Sequence, residues 1–111
     1  MTIKSKITTG VIPILLTDTI ILEVTGRVGI EAMNCFNSAA EDVVMTFFIS
    51  PDLTSGSGQK VSTNTLSSGE EVDINAIVAQ GYIEGQNIIA VASVAGVNCS
   101  ASYTQFTGDD V

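Results

Sequence analysis

Residues 43–50 read Val-Val-Met-Thr-Phe-Phe-Ile-Ser, and this stretch decides the fold. It is apolar on both alternating faces except at Thr46 and Ser50. Eight residues are too few for an apolar core helix, and β-branched and aromatic types suit a pleated strand. So much apolar surface predicts a central strand covered on both sides. Asn37 to Asp42 (Asn-Ser-Ala-Ala-Glu-Asp) reads as the turn before it, and Pro51-Asp52 opens the loop after it.

Outward from that strand the pattern repeats. No long segment has helical spacing, whereas short runs with period two are bounded by turn residues throughout. Upstream, residues 11–16 form a candidate edge strand, because Pro13 cannot donate to a ladder. Residues 20–25 put Ile20, Leu22 and Val24 on one face, and Gly26-Arg27 breaks the run. Residues 28–36 put Val28, Ile30, Ala32 and Phe36 on one face, with a bulge or a polar contact expected near Asn34. Downstream, Ser55-Gly56-Ser57-Gly58 reads as a loop tip, residues 60–66 as a polar strand, and Ser67-Ser68-Gly69-Glu70 as a turn. Residues 71–78, 87–93 and 97–106 follow as further strands, with Gly81-Tyr82-Ile83 leading into a tight turn at Glu84-Gly85-Gln86 and another turn at Ala95-Gly96.

The expectation is an all-β protein: a single β-sandwich, jelly-roll or Ig-like, of about eight short antiparallel strands. An N-terminal arm at residues 1–10, a sandwich at 11–106 and an acidic tail at 107–111 divide the chain. Composition agrees. Of 111 residues, 12 are Val, 13 Ile and 12 Thr, and only 14% are charged. A third of the chain is therefore of types that favour strands.

Charge and missing residue types exclude several functions. Twelve acids against four bases give −8, which disfavours nucleic acid and anionic membrane surfaces. There is no His, so the commonest general base, the His-dependent nucleophile pairs and most zinc sites are absent. Apolar runs are too short to span a bilayer as a helix. Lys4 and Lys6 ahead of a run of about six apolar residues imitate a signal peptide only faintly, since no small-residue cleavage site follows, and a cytosolic product is expected. In that compartment Cys35 and Cys99 are read as buried free thiols, with a disulfide between two strands as the alternative. The Asn98-Cys99-Ser100 acceptor pattern is then a chance match.

The search for chemistry returns no catalytic, cofactor-binding or metal-binding residues. Glu70-Glu71, Asp109-Asp110 and Glu41-Asp42 lack the spacing of a calcium loop and read as solvated charge. No spacing marks a carboxylate pair for glycoside hydrolysis. Gly56, Gly58 and Gly69 lack the Lys-Ser or Lys-Thr of a phosphate cradle. Phe36, Phe47 and Phe48 are assigned to the core. Five residues remain as candidate partner contacts: Lys4, Lys6, Arg27, Tyr82 and Tyr103. No enzyme, and no cofactor, is expected.

The order of the segments resembles the small all-β virion proteins of tailed bacteriophages. The segments are Met33-Asn34-Cys35-Phe36-Asn37-Ser38-Ala39-Ala40, the strand at 43–50, Leu66-Ser67-Ser68-Gly69-Glu70-Glu71-Val72, Glu84-Gly85-Gln86-Asn87-Ile88-Ile89, Ala90-Val91-Ala92-Ser93-Val94-Ala95-Gly96-Val97 and the stretch 100–106. The chain departs from the pattern at Val24-Thr25-Gly26-Arg27 and at Gly85-Gln86. The resemblance implies a non-enzymatic structural protein of the virion, a capsid decoration or cement protein that stabilises the head shell. Its partners would be the major capsid protein or neck and tail proteins, and it would be a homo-oligomer such as a trimer at a symmetry axis. The residue 1–10 arm would lie on a neighbour. The alternative is a tail- or neck-associated, receptor- or carbohydrate-binding sandwich module with a groove at Tyr82, Tyr103 and residues 55–58.

Overall fold

A computed structural model of the chain describes residues 3–78 and 81–107. It contains β1 (Ile3–Thr8), β2 (Ile12–Pro13), β3 (Thr19–Leu22), β4 (Arg27–Asn37), β5 (Val43–Ser50), β6 (Gln59–Leu66), β7 (Glu71–Asp73), β8 (Gly81–Ile83), β9 (Asn87–Ala92) and β10 (Val97–Thr107). One 3-10 turn spans Ser55–Ser57. One sheet runs β1-β10-β4-β7, with β2 also on β10 and β8 also on β4. The other runs β3-β9-β5-β6, and every pairing is antiparallel. Counting β1 with β2 and β7 with β8 as single interrupted strands gives the eight-stranded, two-sheet order of a jelly roll. The all-β sandwich read from the sequence is therefore the fold, and the jelly-roll form of it.

The core lies between the sheets. Val28, Ile30, Met33 and Cys35 of β4 and Val97, Cys99 and Ala101 of β10 belong to one buried cluster with Val43, Met45 and Phe47 of β5 and Ile88, Ala90 and Ala92 of β9. Cys35 and Cys99 are directly opposed in the β4–β10 ladder and form a disulfide. The free-thiol reading is thus corrected: the register of two strands 64 positions apart in sequence brings the sulfurs together. Asn37, fully buried, ties the same end of the sandwich. Its amide nitrogen donates to the Glu41 and Leu66 carbonyls at 2.9 and 3.0 Å, and its Oδ1 accepts from the Ala39 N–H at 2.9 Å. The returning chain passes close by at Gly96, where the Ser38 N–H donates to the Gly96 carbonyl. A Cβ on Gly96 would stand 2.8 Å from that of Ala39, and φ there is +125°, so only glycine fits.

Several local readings change. β5 has the expected ends and is an inner strand, between β9 and β6, but it is not covered on both sides. Its outward residue Val44 is 40% exposed, and only Phe47 of the adjacent pair Phe47-Phe48 is in the core. On this outer face the ladder places Ile89 between Ile20 and Phe48. Ile89 is fully buried yet lies outside the main core cluster, so this face carries a small apolar layer of its own. Of the two expectations at Asn34 the polar contact is present, a hydrogen bond to Asp73 Oδ1 at 3.2 Å, and the β4 bulge falls instead at Glu31. It shifts the buried face from Val28 and Ile30 to Met33, Cys35 and Asn37, and turns Phe36 outward. A second register shift, between Ile20 and Leu22, leaves Ile20 outside while Ile21, Leu22 and Val24 are buried. The run at 71–78 is a strand only to Asp73; a turn then buries Ile74 and Ile77.

Candidate functional site

The N-terminal arm is where the structure adds most. It is a strand, β1, paired with residues 102–107 of β10. Its side chains from Lys4 to Thr8 are all exposed. Lys4 lies opposite Phe106 and Lys6 opposite Thr104, and these in turn lie opposite Arg27 and Gly29 of β4. Residues directly opposite one another in an antiparallel ladder share a face. This outer face therefore gathers three of the five candidate contacts, Lys4, Lys6 and Arg27.

Their partners are Phe106 and Glu31. The Phe106 ring has the Arg27 guanidinium 4.6 Å and the Lys4 ammonium 5.8 Å from its centroid. Lys6 pairs with Glu31 at 3.9 Å, and the Thr104 hydroxyl donates to the same carboxylate. A shallow depression of about 460 Å³ lies here, lined by Arg27, Gly29, Glu31, Gly81, Thr104 and Phe106 among others. Phe106 and Glu31 escaped the sequence reading because their roles come from the β4–β10 register, which joins residues more than 70 positions apart.

The remaining candidates lie elsewhere. Tyr82 is 4% exposed and its hydroxyl donates to the Ile77 carbonyl at 2.9 Å. Burial raises its pKa. It has no surface to offer a ligand. Tyr103 is half-buried and packs against the core. Neither tyrosine lines the depression. The loop at 55–58 is held by carboxylates: Asp18 Oδ2 accepts from the Ser55 N–H, and Asp52 Oδ1 accepts from Ser50, from the Thr54 N–H and from the Thr54 hydroxyl. Hydrogen bonds from Ser57 and Thr54 hold the Asp52 pKa down at about 2. Ser55 does the same for Asp18, in direction. Among the described residues, no three Asp, Glu, Cys or His side chains converge as a metal site would require. The Asp109-Asp110 pair lies outside the described residues.

Two strand edges of the β1-containing sheet are open among the described residues. On β1, the Thr9 N–H donates to the Ala101 carbonyl at 2.9 Å. Alternation along an antiparallel ladder then turns the main-chain groups of Ile7 and Ser5 toward β10 and those of Lys4 and Lys6 outward. On β7, the Ile74 N–H donates to the Met33 carbonyl and the Asn37 N–H to the Glu70 carbonyl, both at 2.9 Å. The same alternation turns Val72 toward Cys35 and leaves the main-chain groups of Glu71 and Asp73 facing outward. Glu71 and Asp73 sit opposite Phe36 and Asn34, on the same outer face as Lys4 and Lys6.

No protein-family model and no curated protein matches this chain. Solved structures do. One, described as "Bacillus endospore appendages form a novel family of disulfide-linked pili", aligns over 97% of this chain and 89% of its own, with a TM-score of 0.55 and 13% identity. Two others align with TM-scores of 0.40 and 0.36: a crystal structure of PirA, at 13% identity over 92% of this chain and 93% of its own, and infectious bursal disease virus Gx strain, at 17% over 99% and 31%. Only the first carries weight, and at that identity it speaks for the fold. The resemblance to tailed-phage virion proteins is corrected by that first likeness, and with it the capsid decoration role, the tail or receptor-binding alternative and the virion location. The segments that carried it are turn-and-strand combinations that any jelly roll of this size needs. What the first likeness supports is the fold, a sandwich of the kind seen in that endospore appendage structure.

Proposed function

We propose that this chain is a non-catalytic structural subunit that assembles with copies of itself through open sheet edges. The observation that carries this reading is β1. It is a six-residue strand held to the fold by one ladder, exposed on both faces from Lys4 to Thr8, with one row of main-chain groups unpaired among the described residues. Such an edge is a template for another strand, and folds that remain monomeric usually cover or shorten it. Within its own molecule β1 buries little that would stabilise the sandwich; against a second copy it has a use.

The likeness to a pilus subunit is in keeping with this, with one difference. That neighbour's pili are described as disulfide-linked. Here both cysteines of the sequence are spent on each other inside the sandwich. Association between copies would then be non-covalent. The disulfide supports a working location outside a reducing cytosol.

The test is direct. The purified oxidised chain is followed by sedimentation velocity and negative-stain microscopy over a rising concentration series at low salt. Concentration-dependent oligomers or filaments are expected. A single monomeric species up to the solubility limit overturns the reading.

A further inference from the structure

We infer that the β1 edge of one copy docks antiparallel on the β7 edge of the next, in the register Lys4–Asp73, Ser5–Val72, Lys6–Glu71, so that copies extend one sheet head to tail. This rests on the self-assembly reading above and names its interface. Three independent features agree on it.

The first is strand direction. The sheet order β1-β10-β4-β7 is antiparallel throughout, so β7 runs opposite to β1. A second copy in the same orientation therefore brings its β1 antiparallel to β7, and the alternation continues unbroken. The second is hydrogen bonding. The main-chain groups that face outward belong to Lys4 and Lys6 on one edge and to Glu71 and Asp73 on the other. In the stated register these become two hydrogen-bonded pairs, with both N–H···O bonds made in each. The third is charge. The same four residues have side chains on one outer face, with two cations on one strand at i, i+2 and two carboxylates on the other at i, i+2. Directly opposed unlike charges stabilise a cross-strand pair, and like charges oppose it.

The groups are available. Lys6 is 84% exposed despite its contact with Glu31. Asp73 accepts one bond, from Asn34 at 3.2 Å, and is exposed. Glu70, by contrast, is occupied by the Ser67 N–H. The edge of β4 is also occupied by β8, but at Arg27–Gly29, whereas β7 sits at residues 34–36. A copy added at β7 therefore steps along the strand axis and leaves β8 clear. Because the two surfaces differ, the contact is heterologous and does not close on itself unless a rotation intervenes, which makes open chains. Three residue pairs are a small contact, so association is expected to be weak for a pair and to fall as salt rises.

The experiment is a charge swap. K4E/K6E has two acidic edges and E71K/D73K two basic ones. Each alone is expected to lose association by about tenfold or more at low salt. Mixing the two restores both contacts and gives alternating assemblies, and the quadruple variant assembles alone. Circular dichroism and melting of each variant check the fold. The register has its own readout: S5C/V72C is expected to give a ladder of disulfide-joined copies on a non-reducing gel, since the two positions are three strands apart within one copy. Wild-type assembly that is indifferent to both charge reversals, or that gives no ladder, overturns this interface and leaves the self-assembly reading standing. Wild-type protein that stays monomeric overturns that reading itself.

Discussion

The two ends of the molecule are built differently. At the Asn37 end both sheets are present: the Cys35–Cys99 disulfide joins β4 to β10 within the larger sheet, and the buried Asn37 amide ties that sheet to Leu66 of the other and to the turn at Ala39 and Glu41. At the Arg27 end, β1 and the last third of β10 continue the larger sheet, with exposed side chains at residues 4–8 and half-buried ones at residues 104–106. The longest dimension of the chain is 49 Å, against 26 and 18 Å across. The closed end has the burial that makes a fold. The open end supplies the Lys4–Lys6 edge of the proposed contact, whereas the β7 edge that would receive it runs along the closed end, with Val72 opposite Cys35. Stability and the proposed association thus rest on different side chains, the first on Cys35, Cys99 and Asn37 and the second on Lys4, Lys6, Glu71 and Asp73.

The largest effect belongs to the closed end. Removing the disulfide as C35A/C99A opens a loop of 64 positions, which by loop-closure entropy costs about 4 kcal/mol. Denaturant unfolding of the oxidised protein and of the variant measures it. A loss below about 1 kcal/mol would mean that the reduced unfolded chain is already held compact, and the contrast between the ends would weaken.

Asn37→Ala comes next. It leaves the Glu41 and Leu66 carbonyls and the Ala39 N–H without their partner, at about 2–3 kcal/mol in total. The matching change at the open end is Ser5→Pro. It removes an N–H from the β1–β10 ladder but uncovers no core, so about 1 kcal/mol or less is expected, with association lost. If Ser5→Pro destabilises as much as Asn37→Ala, β1 is part of the fold and not an appendage to it.

How much of this was legible follows the same division. β5 could be bounded to the residue because its apolar run stops at Asp42 and Pro51. The sandwich followed from many short runs of that kind. β1 could not be found, because Ile-Lys-Ser-Lys-Ile-Thr is short, polar and pinned by one distant strand. Phe36 was misassigned to the core because a single extra residue at Glu31 inverts the alternation after it, and a bulge leaves no local mark in sequence. Lys4, Lys6 and Arg27 could be named one at a time. Their meeting around Phe106 and Glu31 is a property of register. The disulfide was undecidable for the same reason, since two cysteines far apart in sequence become neighbours only once β4 and β10 are aligned.

The smallest expected effect compares the two ends of β5 itself. Its Val43 end is fixed by the neutral amide of Asn37, its Ser50 end by the exposed carboxylate of Asp52. The Asp52 pKa is lowered to about 2 from 3.8, by hydrogen bonds from Ser57 and then Thr54. A depressed carboxylate contributes its stability above the unfolded value and loses it as pH falls through the folded one. The loop at 50–58 should therefore hold its hydrogen bonds down to about pH 3 and release them near pH 2. The neutral Asn37 amide gains and loses no proton, so its bond from the Ala39 N–H should survive that window. Amide resonances of Thr54 and Ala39 followed by NMR from pH 5 to about pH 1.5 report the two ends separately. Thr54 should shift with a midpoint near 2, and Asp52→Asn should abolish that titration while leaving Ala39 as it was. A midpoint near 3.8 at Thr54 would mean that the Ser50, Thr54 and Ser57 hydroxyls face water in solution, and that the Ser50 end is as open as β1.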